Sequence, residues 1–387
     1  MNSIGSPYSF HVHPFLVAAT ESLDAAVTDI GRLVSVESPS RDAERVAESA
    51  RCVADLIKRE TGLVAELINS PAGTHVVVRS SARPAVLFLG HHDTVHQVGS
   101  LEQRPFTNDA GVLRGPGVFD MKAGIVQAVH ATRILRESGV DIAHVAMLFT
   151  ADEEVGSKTS RGLVEEMARA VDAVLVLEPS ADGGALKVGR KGTGTFEVSI
   201  EGRASHAGLE PEKGINALVE LAHQVQAISG FGKPELGTTV TPTVASAGTT
   251  DNTVPDRASI LVDARVVVPE EKARVESLMN SLRPVVNGAK ITVSGSLHRP
   301  PMHESMSADL FALAREVARD IDGREIDGVS VGGGSDGNFT AAIGVKTLDG
   351  LGAVGGGAHG VSEHVIVETI PFRTALVAGI AARVITG

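Results

Sequence analysis

Several short segments of the chain put histidines and acids where apolar runs stop. The run AVLFLG (85–90) leads into HHDTV, which delivers His91, His92 and Asp93 at a strand end. Side chains alternate along a strand, so His91 and Asp93 share a side while His92 points away. Asp93 can then bond the second ring nitrogen of His91 and fix the tautomer that binds a metal. Taken alone, a histidine pair at a strand end is ordinary solvated surface. In GPGVFDMKAG, Asp120 stands between a glycine-rich turn and a helix beginning near Met121. That is the place of a helix N-cap or, if both carboxylate oxygens are used, of a bridge between two cations.

TADEEVGS sets Asp152, Glu153 and Glu154 in a row beyond another apolar run. Acids so close together disfavour one another's ionisation, and a cation resolves the conflict. Neighbouring Glu153 and Glu154 point differently, so one can bind metal while the other handles protons. The run AVLVLE ends on Glu178, and GGGAHGVSEH carries His359 in a loop whose glycines permit close backbone approach. Asp120, the two glutamates and the two histidines form a mixed oxygen and nitrogen ligand set that suits zinc and tolerates cobalt or manganese.

These residues need a scaffold. Apolar residues from about Phe15 to Thr61 recur at helical spacing in two blocks, with Ser40 as a cap for the second. The runs 74–79, 85–90, 144–150 and 173–178 read as parallel strands buried on both faces, with a helix from Met121 to Glu137 between the second and third. Strands alternating with helices imply an open α/β sheet that binds ligands at the carboxyl ends of its strands. From about Gly192 the pattern changes. A strand (TFEVSIEG), a helix (INALVELAHQVQAI), two strands, a helix (Glu270 to Leu282) and a strand (Lys290 to Gly295) follow in β-α-β-β-α-β order. The chain therefore divides into a catalytic domain of residues 1–190 and 299–387 and an inserted domain of residues 191–298.

Composition narrows the partners. A net charge of -12 lacks the basic surplus that nucleic acid requires, and aromatic residues make up only 3%. No apolar run approaches the ~20 residues that span a bilayer. The first residues lack the basic leader and cleavage site of a secretory signal, and the single cysteine, Cys52, cannot form an internal disulfide, so a cytoplasmic location is expected. The glycine-rich VGGGSDGN and GLGAVGGGAHG lack the spacing of either a dinucleotide turn or a P-loop.

In order, HxD, GxxDMKxG, DEEVGS, EPS, RASHAG and a late HG make the chain resemble the M20 metallopeptidases. GSLEQRPF and SHAGLEPEKGINALVE look most like their glutamate-carboxypeptidase branch. The resemblance implies a zinc-exopeptidase-like catalytic domain with a mostly parallel sheet and an inserted ferredoxin-like domain that serves as lid and dimerisation surface. It implies two metal ions, one on His91 and Glu178 and the other on Glu154 and His359, bridged by Asp120. It also implies Glu153 as general base, a cis peptide bond between Asp120 and Met121, and His206 reaching across a homodimer to the partner's oxyanion. Asn252 and Arg265 match positions that contact substrate. Arg265 could instead pair with Asp263, and Arg299 is a second carboxylate-binding candidate. The implied reaction is hydrolysis of an amide next to a free carboxylate in a short peptide or N-acyl amino acid. The stretch after Glu178 departs from the glutamate-specific pattern and offers Lys187, Arg190 and Lys191 instead. The alternative within the same chemistry is an N-acyl amino acid deacylase of acetylornithine or succinyl-diaminopimelate type.

Overall fold

The computed structural model describes residues 13–79 and 83–387. It divides into two units. One holds the chain through Val188 with Glu304–Val329 and Ser335–Gly387, and the other holds Gly189–His303 with Ser330–Gly334. Arg299, read from sequence as the re-entry point, ends a strand of the second unit.

The first unit is built on a six-stranded sheet in the order Glu66–Ser70, Gly73–Val78, Val145–Thr150, Val86–His91, Ala173–Val176, Lys346–Leu348. Its uninterrupted apolar runs follow from burial on both faces. In the central strand, Val86 and Phe88 join one hydrophobic cluster while Leu87 and Leu89 join another. Each such side chain contributes on the order of 1.5–3 kcal/mol when fully buried, which fixes the strand between its two helical layers.

The strands Val145–Thr150, Val86–His91, Ala173–Val176 and Lys346–Leu348 run parallel. Gly73–Val78, expected to be parallel, instead runs antiparallel to Val145–Thr150 and forms a hairpin with Glu66–Ser70. A fully buried strand carries no mark of its direction; the short turn at residues 71–72 sets it.

The opening segment forms three helices, Pro14–Glu21, Leu23–Val34 and Ala43–Thr61. Asp42, not Ser40, caps the third by accepting from the Arg45 N–H. The helix after Asp120 spans Ala123–Glu137, and a wide turn, Val118–Lys122, precedes it. The segment Val367–Thr386 is long and apolar enough to span a membrane, contrary to the sequence reading, but 67% of its most apolar window is buried inside the protein. It is a core helix.

The second unit has the order expected from sequence: Gly192–Glu201, Ala217–Ser229, Thr239–Ala247, Arg257–Val266, Pro269–Asn280 and Lys290–Arg299. Its four strands pair entirely antiparallel. Phe196, Val198 and Ile200 pack with Leu221, Ile228, Val275 and Met279 of the two helices, whereas Thr195 and Glu197, which alternate with them, are exposed. One face is core and the other meets solvent.

Candidate metal centre

Strand ends of the first unit converge on one cluster. His91 ends the central strand and is buried; its Nδ1 lies 3.0 Å from the Asp93 carbonyl oxygen. Donation there leaves Nε2 as the ligating nitrogen, 3.2 Å from Asp120 Oδ1 and 3.5 Å from Glu178 Oε1. The other oxygen of Asp120, Oδ2, lies 3.3 Å from His359 Nε2, which is also 3.2 Å from Glu154 Oε2. The two oxygens of Asp120 thus face two different histidines, each with its own glutamate. Ligand atoms of His91, Glu153 and Glu178 also fall within 4.8 Å of one another, so Glu153 sits beside this set. The Asp120–Met121 peptide bond is cis.

The Asp93 carboxylate does more than the sequence indicated. It is 3.5 Å from His91 Nδ1, farther than its own backbone carbonyl. Its oxygens accept the N–H groups of Glu153 at 3.2 Å and Glu154 at 3.3 Å, and the Ser40 hydroxyl at 2.7 Å. Asp93 therefore faces His91 with both its main-chain carbonyl and its carboxylate, and the carboxylate holds the acidic loop as well. Asp336, from the glycine-rich stretch SDGN, holds that loop from another direction: it accepts from the hydroxyls of Ser157 and of Thr150, the latter at 3.0 Å. Neither Ser40 nor Asp336 was assigned this role from sequence. The only local sign was a polar residue in an otherwise small-residue stretch.

The electrostatics are those of a place made for positive charge. Burial opposes charging of His91, yet hydrogen bonds from Asp120, Asp93 and Glu178 raise its pKa well above the ordinary value. The carboxylates of Asp120 and Glu154 push His359 up to about 10. Burial would raise Asp120, but its bonds to His359 and His91 hold it well below the carboxylate range. Burial raises Glu154, whose Oε1 has no hydrogen-bond partner although it is out of contact with solvent. A buried carboxylate oxygen left over in this way is what a cation would satisfy. The donor set and this orphaned atom fit divalent metal ions.

A second acid–histidine cluster, Asp29, Glu60 and His130, has similar spacing. It is already neutralised: Arg59 lies 2.5 Å and Arg32 3.1 Å from Asp29, and Arg133 is 3.2 Å from Glu60. This is an ion-pair network with its cations built in.

The remaining sequence candidates, His206, Asn252, Arg265 and Arg299, belong to the second unit. His206 is exposed and its Nδ1 accepts from the Gly208 N–H at 3.1 Å. Thr253, next to Asn252, is bridged to His206. The Arg265 guanidinium is forked onto Asp263 with bonds of 2.9 to 3.1 Å, the ion pair that sequence offered as its alternative. Arg299 is buried at the end of its strand.

Fold and site together define a metal-dependent amidohydrolase. A family model described as Peptidase family M20/M25/M40 matches residues 87–383, and the chain belongs to this family. It is 30% identical to "Carboxypeptidase G2" of Pseudomonas sp. (strain RS-16), covering 92% of this chain and 88% of that one. It is 27% identical to "Succinyl-diaminopimelate desuccinylase" of Halorhodospira halophila, covering 84% and 90%. Among solved structures, the aminopeptidase PepT of Bacillus cereus superposes with a TM-score of 0.74 at 22% identity, over 94% of this chain and 98% of the other. The M20 metallo-carboxypeptidase Sso-CP2 of Sulfolobus solfataricus gives 0.74 at 15% identity, over 95% and 100%. Members of the family use divalent metals.

Proposed function

We propose that the protein hydrolyses an amide or peptide bond adjacent to a free carboxylate, with preference for C-terminal Glu-like residues. One divalent ion would be held by His91 and Glu178 and a second by His359 and Glu154, with Asp120 available to both and zinc the expected metal. The observation that carries the reading is the split of Asp120, one oxygen toward each histidine. The bound ions would supply Lewis acidity, making water more acidic and stabilising negative charge on the scissile carbonyl oxygen. Glu153 takes the proton from water as it attacks and returns it to the leaving nitrogen.

His206 accepts at Nδ1, which leaves its Nε2–H free to donate to an oxyanion; we assign it that role toward the site of a second copy of the chain. Homodimerisation through the second unit is supported by its edge strand Thr239–Ala247, which leaves Val244 56% exposed. Asn252, Arg265 and Arg299 are assigned to the substrate carboxylate; Arg265 would trade Asp263 for it. A lone cysteine fits a reducing compartment such as the cytoplasm.

The second reading, an N-acyl amino acid deacylase, is favoured by the 27% identity to the Halorhodospira desuccinylase. One experiment decides between them. Purified protein supplied with Zn²⁺ or Co²⁺ is assayed on dipeptides and N-acyl amino acids ending in Glu, Asp or neutral residues. Turnover of acyl-Glu substrates that a chelator abolishes supports the first reading, and turnover confined to N-succinyl or N-acetyl diamino acids supports the second. Activity that survives metal removal would contradict both.

A further inference from the structure

Glu363 lies four residues after His359, and its side chain is 1% exposed. Its Oε1 accepts the N–H groups of Phe119 at 2.9 Å and of Asp120 at 3.0 Å. Its Oε2 accepts the Gly117 N–H at 2.9 Å and lies 2.7 Å from His96 Nε2. The Arg104 guanidinium, which has no lone pair, faces His96 Nδ1 at 3.2 Å. Nδ1 must therefore be the acceptor, and the imidazole proton sits on Nε2, where it donates to Glu363. The other end of Arg104 donates to the carbonyl of Gly360 at 3.1 Å, the residue next to His359. Asp120, Glu363, His96, Arg104, Gly360 and His359 thus form a closed ring of contacts, entirely within the first unit.

Neither Asp120 nor His359 is fixed by regular secondary structure. Asp120 sits in a non-helical kink at φ -114° and ψ 93°, so helical bonds do not fix its main chain. His359 has a φ of 64° and a side chain 53% exposed, so packing does not fix it either. Both must nevertheless be held to a fraction of an ångström for Asp120 Oδ2 and His359 Nε2 to share one ion. An ionised carboxylate taking four donors is a strong tether, because charge-assisted bonds are roughly twice as strong as neutral ones.

We propose that Glu363, acting through His96 and Arg104, is a positioning residue that sets the spacing between Asp120 and His359 and so controls occupancy of the ion held by His359. The inference rests on the two-metal reading above. Glu363→Gln keeps the size of the side chain, but its amide nitrogen cannot accept the bonds that one carboxylate oxygen now takes. Arg104→Gln cuts only the link to His96 and the Gly360 carbonyl, at a half-buried residue, and serves if the first variant does not fold.

The test uses the full chain stripped of metal and titrated with Co²⁺, followed by competition with a chromophoric chelator and by the visible absorption of the bound ion. Wild type should take up two Co²⁺ per chain. Both variants should keep one tight ion and bind the other roughly 10–100-fold more weakly, with an altered cobalt spectrum, the size of effect typical for partners behind metal ligands. In the metal-saturated enzyme kcat should fall more than KM rises. A soluble variant that binds two Co²⁺ with wild-type affinity and spectrum, even at a lower Tm, would overturn the proposal. Wild type that takes up no second Co²⁺ would remove the two-metal reading itself.

Discussion

A Cβ built on Gly124 would stand 2.1 Å from the carbonyl oxygen of Leu177. Gly124 is in the helix that follows Asp120, and Leu177 precedes Glu178, so helix and strand end meet backbone to backbone. Gly352 presses on the same carbonyl from elsewhere, where a Cβ would lie 2.2 Å away. Gly124→Ala therefore has to push Glu178 aside. Overpacking of this kind costs about 1–3 kcal/mol, and more against backbone that cannot yield. Thermal unfolding should show a drop of that size, together with weaker metal binding. Gly162→Ala, whose Cβ would meet nothing within 4 Å inside a helix, is the control and should be neutral or slightly stabilising. Equal Tm values for the two variants would refute the clamp.

Glu153→Gln should retain its metal ions and lose about 10²–10⁴-fold in kcat, because the amide cannot shuttle a proton. Metal analysis alongside initial rates separates this outcome from loss of ligands. Unchanged turnover would remove Glu153 as the base.

Metal uptake should release protons. In protein stripped of metal, His359 is pushed up to about 10 and His91 is raised as well, so both imidazoles are charged near neutral pH. A ligating nitrogen must be deprotonated, so loading both ions should expel about two protons and apparent affinity should rise with pH between 6 and 9. Calorimetric titration in two buffers of different ionisation enthalpy measures the number. Heats that do not depend on the buffer would contradict it.

Acid should destabilise the fold partly through His92. This residue is buried, its Nε2 2.9 Å from the Thr74 carbonyl oxygen, and burial pushes its pKa down to about 4. Unfolded histidine titrates near 6.5, so below that pH the unfolded chain takes the proton first. The stability present above pH 6.5 is lost as the pH falls toward 4, by about 3 kcal/mol in total. Metal-stripped wild type and His92→Gln should show Tm curves that converge as the pH is lowered. Parallel curves would clear His92 of any part in acid lability.

Asp336→Ala removes the carboxylate that the Ser157 and Thr150 hydroxyls share and leaves Thr150 only its longer bond to the Gly90 carbonyl at 3.4 Å, loosening the loop that carries Glu153 and Glu154. Loss of hydrogen bonds to a charged group costs about 1.5–3 kcal/mol each. The variant should melt earlier and bind metal more weakly, as judged by calorimetry and by metal content after dialysis. Wild-type metal content would show that Asp93 alone suffices to hold the loop.

His91, Glu154 and Glu178 were legible because each follows an apolar run, and in an open α/β sheet such ends gather on one edge, whereas Asp120 and His359 sit in glycine-rich segments and were marked by motif alone. The order of elements in the second unit was legible for a similar reason, since its strands alternate buried and exposed residues. The direction of Gly73–Val78 was not, because burial on both faces erases the signal that a one-residue shift would disturb. Nor was the role proposed for Glu363, since three of its four partners are main-chain N–H groups that carry no residue identity and the fourth, His96, lies 267 positions away. The Asp93 carboxylate was read as serving His91, which strand alternation puts on the same side. It does face that ring, but the main-chain N–H groups it also holds lie some 60 positions away and were not legible.

The four-stranded sheet of the second unit begins and ends on paired strands, with Thr193 directly opposite Arg299. Its two ends therefore emerge side by side, and a short turn could join the host chain across the gap at little entropic cost. Such a segment behaves as a detachable module, and residues 192–299 mark where it could be cut out, swapped for a counterpart or produced alone.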